Sequence, residues 1–96
     1  KDSTPTRYGG NSICHNALIA DGCNIEGEVY NSIIFRGVTV GRGAVVKNCV
    51  LMQNTIIGAN ASMNCIITDK NVIIKDRRVL SGSENHPFYI SKGTVI

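Results

Sequence analysis

Residues 34–50, IFRGVTVGRGAVVKNCV, align without a gap over residues 51–67, LMQNTIIGANASMNCII. Ile34 sits over Leu51, Val40 over Ile57 and Val46 over Met63. Within each copy the large apolar residues recur every six positions. A step of six nested in a repeat of 17 describes stacked coils with three flat sides. A single coil of this size has no core of its own. Stacking places like residues one above another, about 4.8 Å apart, and fills the interior with columns of Val, Ile and Leu.

The turns are legible in the same alignment. Gly37, Asn54 and Asn71 are 17 apart, as are Gly43 and Asn60. Glycine and asparagine enter the left-handed backbone region at least cost, so these columns are predicted corners. Ala44 and Ala61 lie four places after Val40 and Ile57, where a sharp corner leaves room for only a small inward side chain. The tetrapeptide Asn-small-apolar-apolar begins at Asn16, Asn31, Asn48 and Asn64, with spacings of 15, 17 and 16. This register predicts an Asn ladder up the stack. It also predicts inward Ile19, Ile25, Val29, Ile34, Val40, Val46, Leu51, Ile57, Met63 and Ile67, then Ile73 or Ile74. Strands of four to five residues are expected between turns.

The expected fold is therefore all-β, a parallel β-helix of about four to five triangular coils with an irregular C-terminal cap. Residues 1–10 are expected to be an irregular lead-in, 11–76 the coils and 77–96 a capping tail, all one domain. The tail is expected to cover the end of the stack or to cross onto a partner. Composition agrees: 43% of the 96 residues are apolar, only 5% are aromatic, and 10 are Gly. That suits a narrow β core with many tight turns rather than a helical bundle.

The net charge of +3 falls short of what a nucleic-acid partner would require. The apolar runs are too short to span a membrane. Cys14, Cys23, Cys49 and Cys65 form no Cys-x-x-Cys pair, and His15 and His86 lie outside any zinc-like spacing with them. They are expected to be reduced, buried thiols of a cytoplasmic protein. Asp21, Asp69 and Asp76 are separate turn residues and suggest no metal site.

Arg36 and Lys70 fall in one column with Gln53 between them, about 9–10 Å apart from the coil spacing. They are candidates for a strip receptive to a phosphate-bearing effector or an acidic partner. Lys75, Arg77 and Arg78 form the other basic cluster. Phe35 follows an inward Ile34, so it is expected to face outward, toward another domain or subunit.

The hexads Val40-Gly41-Arg42-Gly43-Ala44 and Ile57-Gly58-Ala59-Asn60-Ala61 resemble the hexapeptide repeat of left-handed parallel β-helices. The left hand is implied by that resemblance alone. The stretches from Asn16 to Cys23, Asn31 to Val38 and Ile67 to Val72 resemble the C-terminal domain of bacterial glucose-1-phosphate adenylyltransferase (ADP-glucose pyrophosphorylase). Ile74 to Gly82, with Asn85, Pro87, Tyr89 and Gly93-Thr94-Val95-Ile96, is most similar to the GlgD-type regulatory subunit. The resemblance implies a family that makes ADP-glucose for glycogen synthesis, with magnesium and ATP used by an N-terminal nucleotidyltransferase domain. It carries no catalytic, cofactor or metal residue onto this chain. It implies partners in that N-terminal domain and in other adenylyltransferase subunits, as homo- or hetero-oligomers. Two alternatives stand beside it: the β-helix domain of another sugar nucleotidyltransferase, and a hexapeptide-repeat acyltransferase with a histidine base.

Overall fold

The computed structural model describes residues 4–96. Coil one carries β1 (Arg7–Tyr8), β2 (Ile13–His15) and β3 (Leu18–Ile19). Coil two carries β4 (Asn24–Ile25), β5 (Glu28–Tyr30) and β6 (Ile33–Ile34). Coil three carries β7 (Thr39–Val40), β8 (Val45–Lys47) and β9 (Val50–Leu51). Coil four carries β10 (Ile56–Ile57), β11 (Ser62–Asn64) and β12 (Ile66–Thr68). Coil five carries β13 (Ile73–Ile74), β14 (Val79–Ser81) and β15 (Phe88–Ile90). Corresponding strands form three five-stranded sheets: A (β1-β4-β7-β10-β13), B (β2-β5-β8-β11-β14) and C (β3-β6-β9-β12-β15). Every pairing is parallel, as a solenoid requires. The arrangement is consistent with the left-handed β-helix that the hexads resemble.

The strands are two or three residues long, shorter than expected, because most corners consume up to four residues. The corner chemistry is as the sequence indicates. Gly37, Asn54 and Asn71 have φ of 72°, 62° and 59°, and Gly43 and Asn60 have φ of 76° and 60°. At all of these corners but that of Gly43 the left-handed residue turns its N–H toward the coil before it. Asn54 thus donates to the Arg36 carbonyl and Asn71 to the Gln53 carbonyl, both at 3.0 Å. These bonds tie each such corner to the coil before it.

The core is the predicted set of columns. Ile25, Val29, Val40, Val46, Leu51 and Ile57 are fully buried, as are Ala44 and Ala61 at their corners. Of the two alternatives in coil five, Ile74 points inward and Ile73 outward. Ile67 departs from expectation: it pairs with outward Val50, and Thr68 takes the inward place below Leu51. The buried Thr68 hydroxyl meets the Thr55 hydroxyl at 2.9 Å, and each thereby gains a partner inside the core. The slip arises from the fourth Asn motif. Asn64 is a strand residue paired with Lys47, and Cys65, at φ 58°, occupies the corner instead. The true spacing at that step is 17, not 16. The Asn ladder is present in two bonds, Asn16 to Asn31 at 2.6 Å and Asn48 to Asn64 at 3.0 Å.

Both ends differ from the expected boundaries. Residues 1–3 of the lead-in lie outside the described residues, and Arg7–Tyr8 already forms a strand against Asn24–Ile25. The tail is a fifth coil rather than an irregular cap. Val79–Ser81 and Phe88–Ile90 continue sheets B and C in register. Only residues 82–87, inserted at the corner between them, break the pattern. Ile96 then packs against the core and bridges Lys75 and Ile73 through backbone bonds of 2.7 and 3.0 Å.

Adjacent residues of one strand test the register. Ile57→Ala is expected to cost about 2–5 kcal/mol. Ile56→Ala, at an outward position, should cost under about 1 kcal/mol. Urea unfolding measures both; equal losses would mean that the alternation is wrong.

Candidate functional site

Sheet C differs from the other two sheets on its outer face. Leu18, Ile33, Val50, Ile67 and Tyr89 stack in register as one outward column across all five strands. The inward column of the same sheet is Ile19, Ile34, Leu51, Thr68 and Ile90. A parallel strand apolar on both faces is the pattern of a sheet covered on both sides. By contrast, sheet B mixes Glu28, Ser62, His15, Lys47 and Asn64 into its outer columns, and sheet A opens with Arg7, Asn24 and Thr39. Leu18 is 71% exposed and Tyr89 56%.

Two shallow grooves flank the Leu18–Ile33 ridge. One, of about 440 Å³, runs along Asn16, Ala17, Asn31 and Ser32. The other, of about 290 Å³, is bounded by Ile19, Ala20, Ile34 and Phe35. Phe35 is half-buried at the first position of its corner, where it forms the wall of this apolar groove.

The corner between sheets C and A borders this face and carries the charge. Its second positions are Asp21, Arg36, Gln53, Lys70 and Lys92. The carbonyls of the first four accept from Gly37, Asn54, Asn71 and Gly93 in turn. Arg36 and Lys70 therefore share one column, as their spacing indicates. Lys92 extends it by one coil. Sequence spacing missed Lys92 because the inserted loop puts it 22 residues after Lys70 instead of 17. The Gly93 corner was the available signal. Between the cations, the buried Oε1 of Gln53 has no partner among the described residues. Lys75, Arg77 and Arg78 lie elsewhere, at the corner between sheets A and B of coil five. Arg77 has φ 63° and donates its N–H to Ala59, so it fills the corner place of Gly43 and Asn60.

Asp69 fastens coil five to this border. Its Oδ2 accepts from the Tyr89 hydroxyl at 2.7 Å, and its Oδ1 from the Lys70 N–H at 2.7 Å. The Tyr89 bond, then the Lys70 amide, hold the Asp69 carboxyl below its ordinary range, and the same bond raises the Tyr89 hydroxyl. Of the four thiols, Cys23, Cys49 and Cys65 are buried, and burial pushes Cys49 up to about 11. Cys14 departs from expectation and is exposed, because it occupies the inward position of coil one, where no described coil lies over it. His15 stands exposed on the outer face of sheet B, and His86 lies in the inserted loop. Among the described residues no group of three or more His, Cys, Asp or Glu could hold a metal. No helix among them is long and apolar enough to cross a membrane.

Two measurements check this geometry. The Asp69 carboxyl is lowered in the folded state, so its contribution exists above the unfolded pKa of about 3.9 and is lost as pH falls through the folded value. Tyr89→Phe should thus raise the Asp69 pKa in an NMR titration, and its stability deficit should shrink as pH falls through the folded value. An aromatic disulfide reagent should titrate Cys14 first, with Cys49 reacting only on unfolding. Simultaneous reaction of all thiols would refute the burial order.

A family model described as "GlmU-like, C-terminal hexapeptide" matches residues 4–96. The chain is 44% identical over 95 residues to the "Glycogen biosynthesis protein GlgD" of Bacillus subtilis (strain 168), which covers 99% of this chain and 28% of that protein. It is 43% identical over 95 residues to the GlgD of Geobacillus stearothermophilus, with the same shares covered. It is 32% identical over 104 residues to the "Glucose-1-phosphate adenylyltransferase" of Desulfitobacterium hafniense (strain DSM 10664 / DCB-2), covering 96% of this chain and 26% of that one. The chain thus spans little more than a quarter of the length of these curated relatives. With the stacked coils, the hexads and a match over every described residue, the chain belongs to the GlmU-like C-terminal hexapeptide family.

Proposed function

We propose that this chain is a non-catalytic assembly and regulatory domain of a glucose-1-phosphate adenylyltransferase-type subunit, of the GlgD kind, acting in glycogen biosynthesis in the cytoplasm. The observation that carries the reading is the apolar outer face of sheet C, continuous over five coils. Relatives with glycogen-biosynthesis and adenylyltransferase names supply its context.

The size of the face suggests what covers it. Five strands at about 4.8 Å spacing, each of two or three residues at about 3.3 Å, give a plane of roughly 200 Å². A standard interface between separate proteins buries about 800 Å² per partner. Contacts between domains of one chain are often smaller, because the tether supplies the effective concentration. The face therefore fits the catalytic-type domain of its own subunit, with a neighbouring subunit extending the contact. The Arg36–Gln53–Lys70–Lys92 column along the border places cations at the seam. There an anionic effector would bias how the two bodies pack. Phe35 belongs to the apolar side of that seam. Lys75, Arg77 and Arg78 face a different direction and fit an acidic surface of a second subunit.

The test is made in the full-length subunit. Ile33→Glu puts a charge on the exposed ridge of the face without touching the core. It should leave the coil domain folded by circular dichroism yet weaken oligomer assembly at least about tenfold, the effect of about 1.4 kcal/mol. Glu28→Lys, on the outer face of sheet B, is the control and should leave assembly unchanged. Assembly untouched by Ile33→Glu would sink the reading.

A further inference from the structure

Coil two is two residues short at one corner. Asn24 pairs with Thr39, but Glu28 pairs with Val45, so Glu26-Gly27 stand where coil three has Gly41-Arg42-Gly43-Ala44. The deletion leaves a notch of about 270 Å³ lined by Gly9, Gly10, Asn11, Glu26 and Arg42. Beside it coils two and three pack backbone to backbone: a side chain at Gly27 would strike the carbonyl oxygens of Ala44 and Gly41.

The notch also breaks a rule that the other corners obey. In coils two to five, each left-handed corner residue donates its N–H to the preceding residue's counterpart one coil earlier. Asn31 donates to His15, Gly37 to Asp21, Asn48 to Tyr30, Asn54 to Arg36 and Asn60 to Arg42. Cys65 donates to Lys47, Asn71 to Gln53, Arg77 to Ala59 and Gly93 to Lys70. Gly43, with φ 76°, is the exception. Its acceptor would belong to the second corner residue of coil two, which does not exist. The Gly10 carbonyl of coil one is likewise left without the donor that a third corner residue would supply. No backbone partner for either is present among the described residues. What is missing between Gly10 and Gly43 is a C=O and the N–H that follows it, which is one peptide group.

We infer that this notch binds one trans amide flanked by opposite charges, the chemistry of a short zwitterionic peptide. The amide oxygen accepts from the Gly43 N–H, and the amide N–H donates to the Gly10 carbonyl. The Arg42 guanidinium takes the carboxylate and the Glu26 carboxylate takes the ammonium. The inference is independent of the glycogen reading, since the sheet C face lies across a different corner.

Glycylglycine is the probe, followed by ¹⁵N NMR of the 96-residue chain. It should shift the Gly43 amide saturably. Glycine has the charges without the amide, and N-methylacetamide the amide without the charges; each should bind at least about tenfold more weakly. Arg42→Gln should cost a similar factor. The sharper control inserts Gly-Asn between Glu26 and Gly27, which restores a full corner. That variant should lose binding and protect the Gly43 N–H from hydrogen exchange. A Gly43 signal that does not saturate would overturn the inference. So would glycine binding as well as glycylglycine, or an insertion variant that still binds.

Discussion

Everything in this molecule depends on coil-to-coil backbone pairing in parallel register. A coil of three two- or three-residue strands buries almost nothing alone, and each strand lacks a partner within its own coil. Pairing with the coils before and after supplies both the hydrogen bonds and the apolar neighbours at once. The core columns of Ile, Val and Leu are therefore a consequence of register, and register is held at the corners. In coils two to five the left-handed Gly and Asn residues other than Gly43 do this twice over: they permit the sharp turn, and their N–H groups tie it to the coil before. Asn is cheaper there than other L-residues, which explains its abundance. Cys65 and Arg77 occupy the same backbone region without that advantage, and both are held by the same inter-coil bond.

That constraint also separates structure from surface chemistry. Inward and corner positions are committed, so variation is confined to outward columns and to corner residues whose side chains leave the stack. The apolar outer column of sheet C and the basic column beside it both arise this way. Each is a single position repeated once per coil. A property chosen at one position is multiplied along the axis, and short strands build a continuous ridge from residues far apart in sequence.

The gap-free alignment of residues 34–50 over 51–67 made the core legible, because like residues occupy like environments. The Asn motif was a poorer guide. It recurs at Asn64 by composition, whereas the backbone at that level turns on Cys65, one place later. That single slip displaced Ile67 into the core and hid Thr68, whose hydroxyl is tolerable inside only because Thr55 faces it. The fifth coil was obscured because residues 82–87 interrupt the period, and with it Lys92 was lost from the basic column. Exposure of Cys14 depends on where the described stack begins, a property that no local pattern encodes. The shared column of Arg36 and Lys70 is legible in the spacing because both lie where the period is unbroken.

The two ends of the stack are unequal. Among the described residues the strands of coil one are paired on one edge only, with Tyr8 and Cys14 at inward places yet exposed. Coil five is held by Ile96, by the isolated Ile73–Val95 bridge and by the Asp69–Tyr89 bond. During synthesis the chain leaves the ribosome from its N-terminal side, so coil one emerges before coils two to five can pair with it. Each later coil then docks onto a template already formed, and the clasp closes last. Growth of these five coils is thus vectorial, each docking on the one before, with the Asp69–Tyr89 clasp formed only when the fifth arrives.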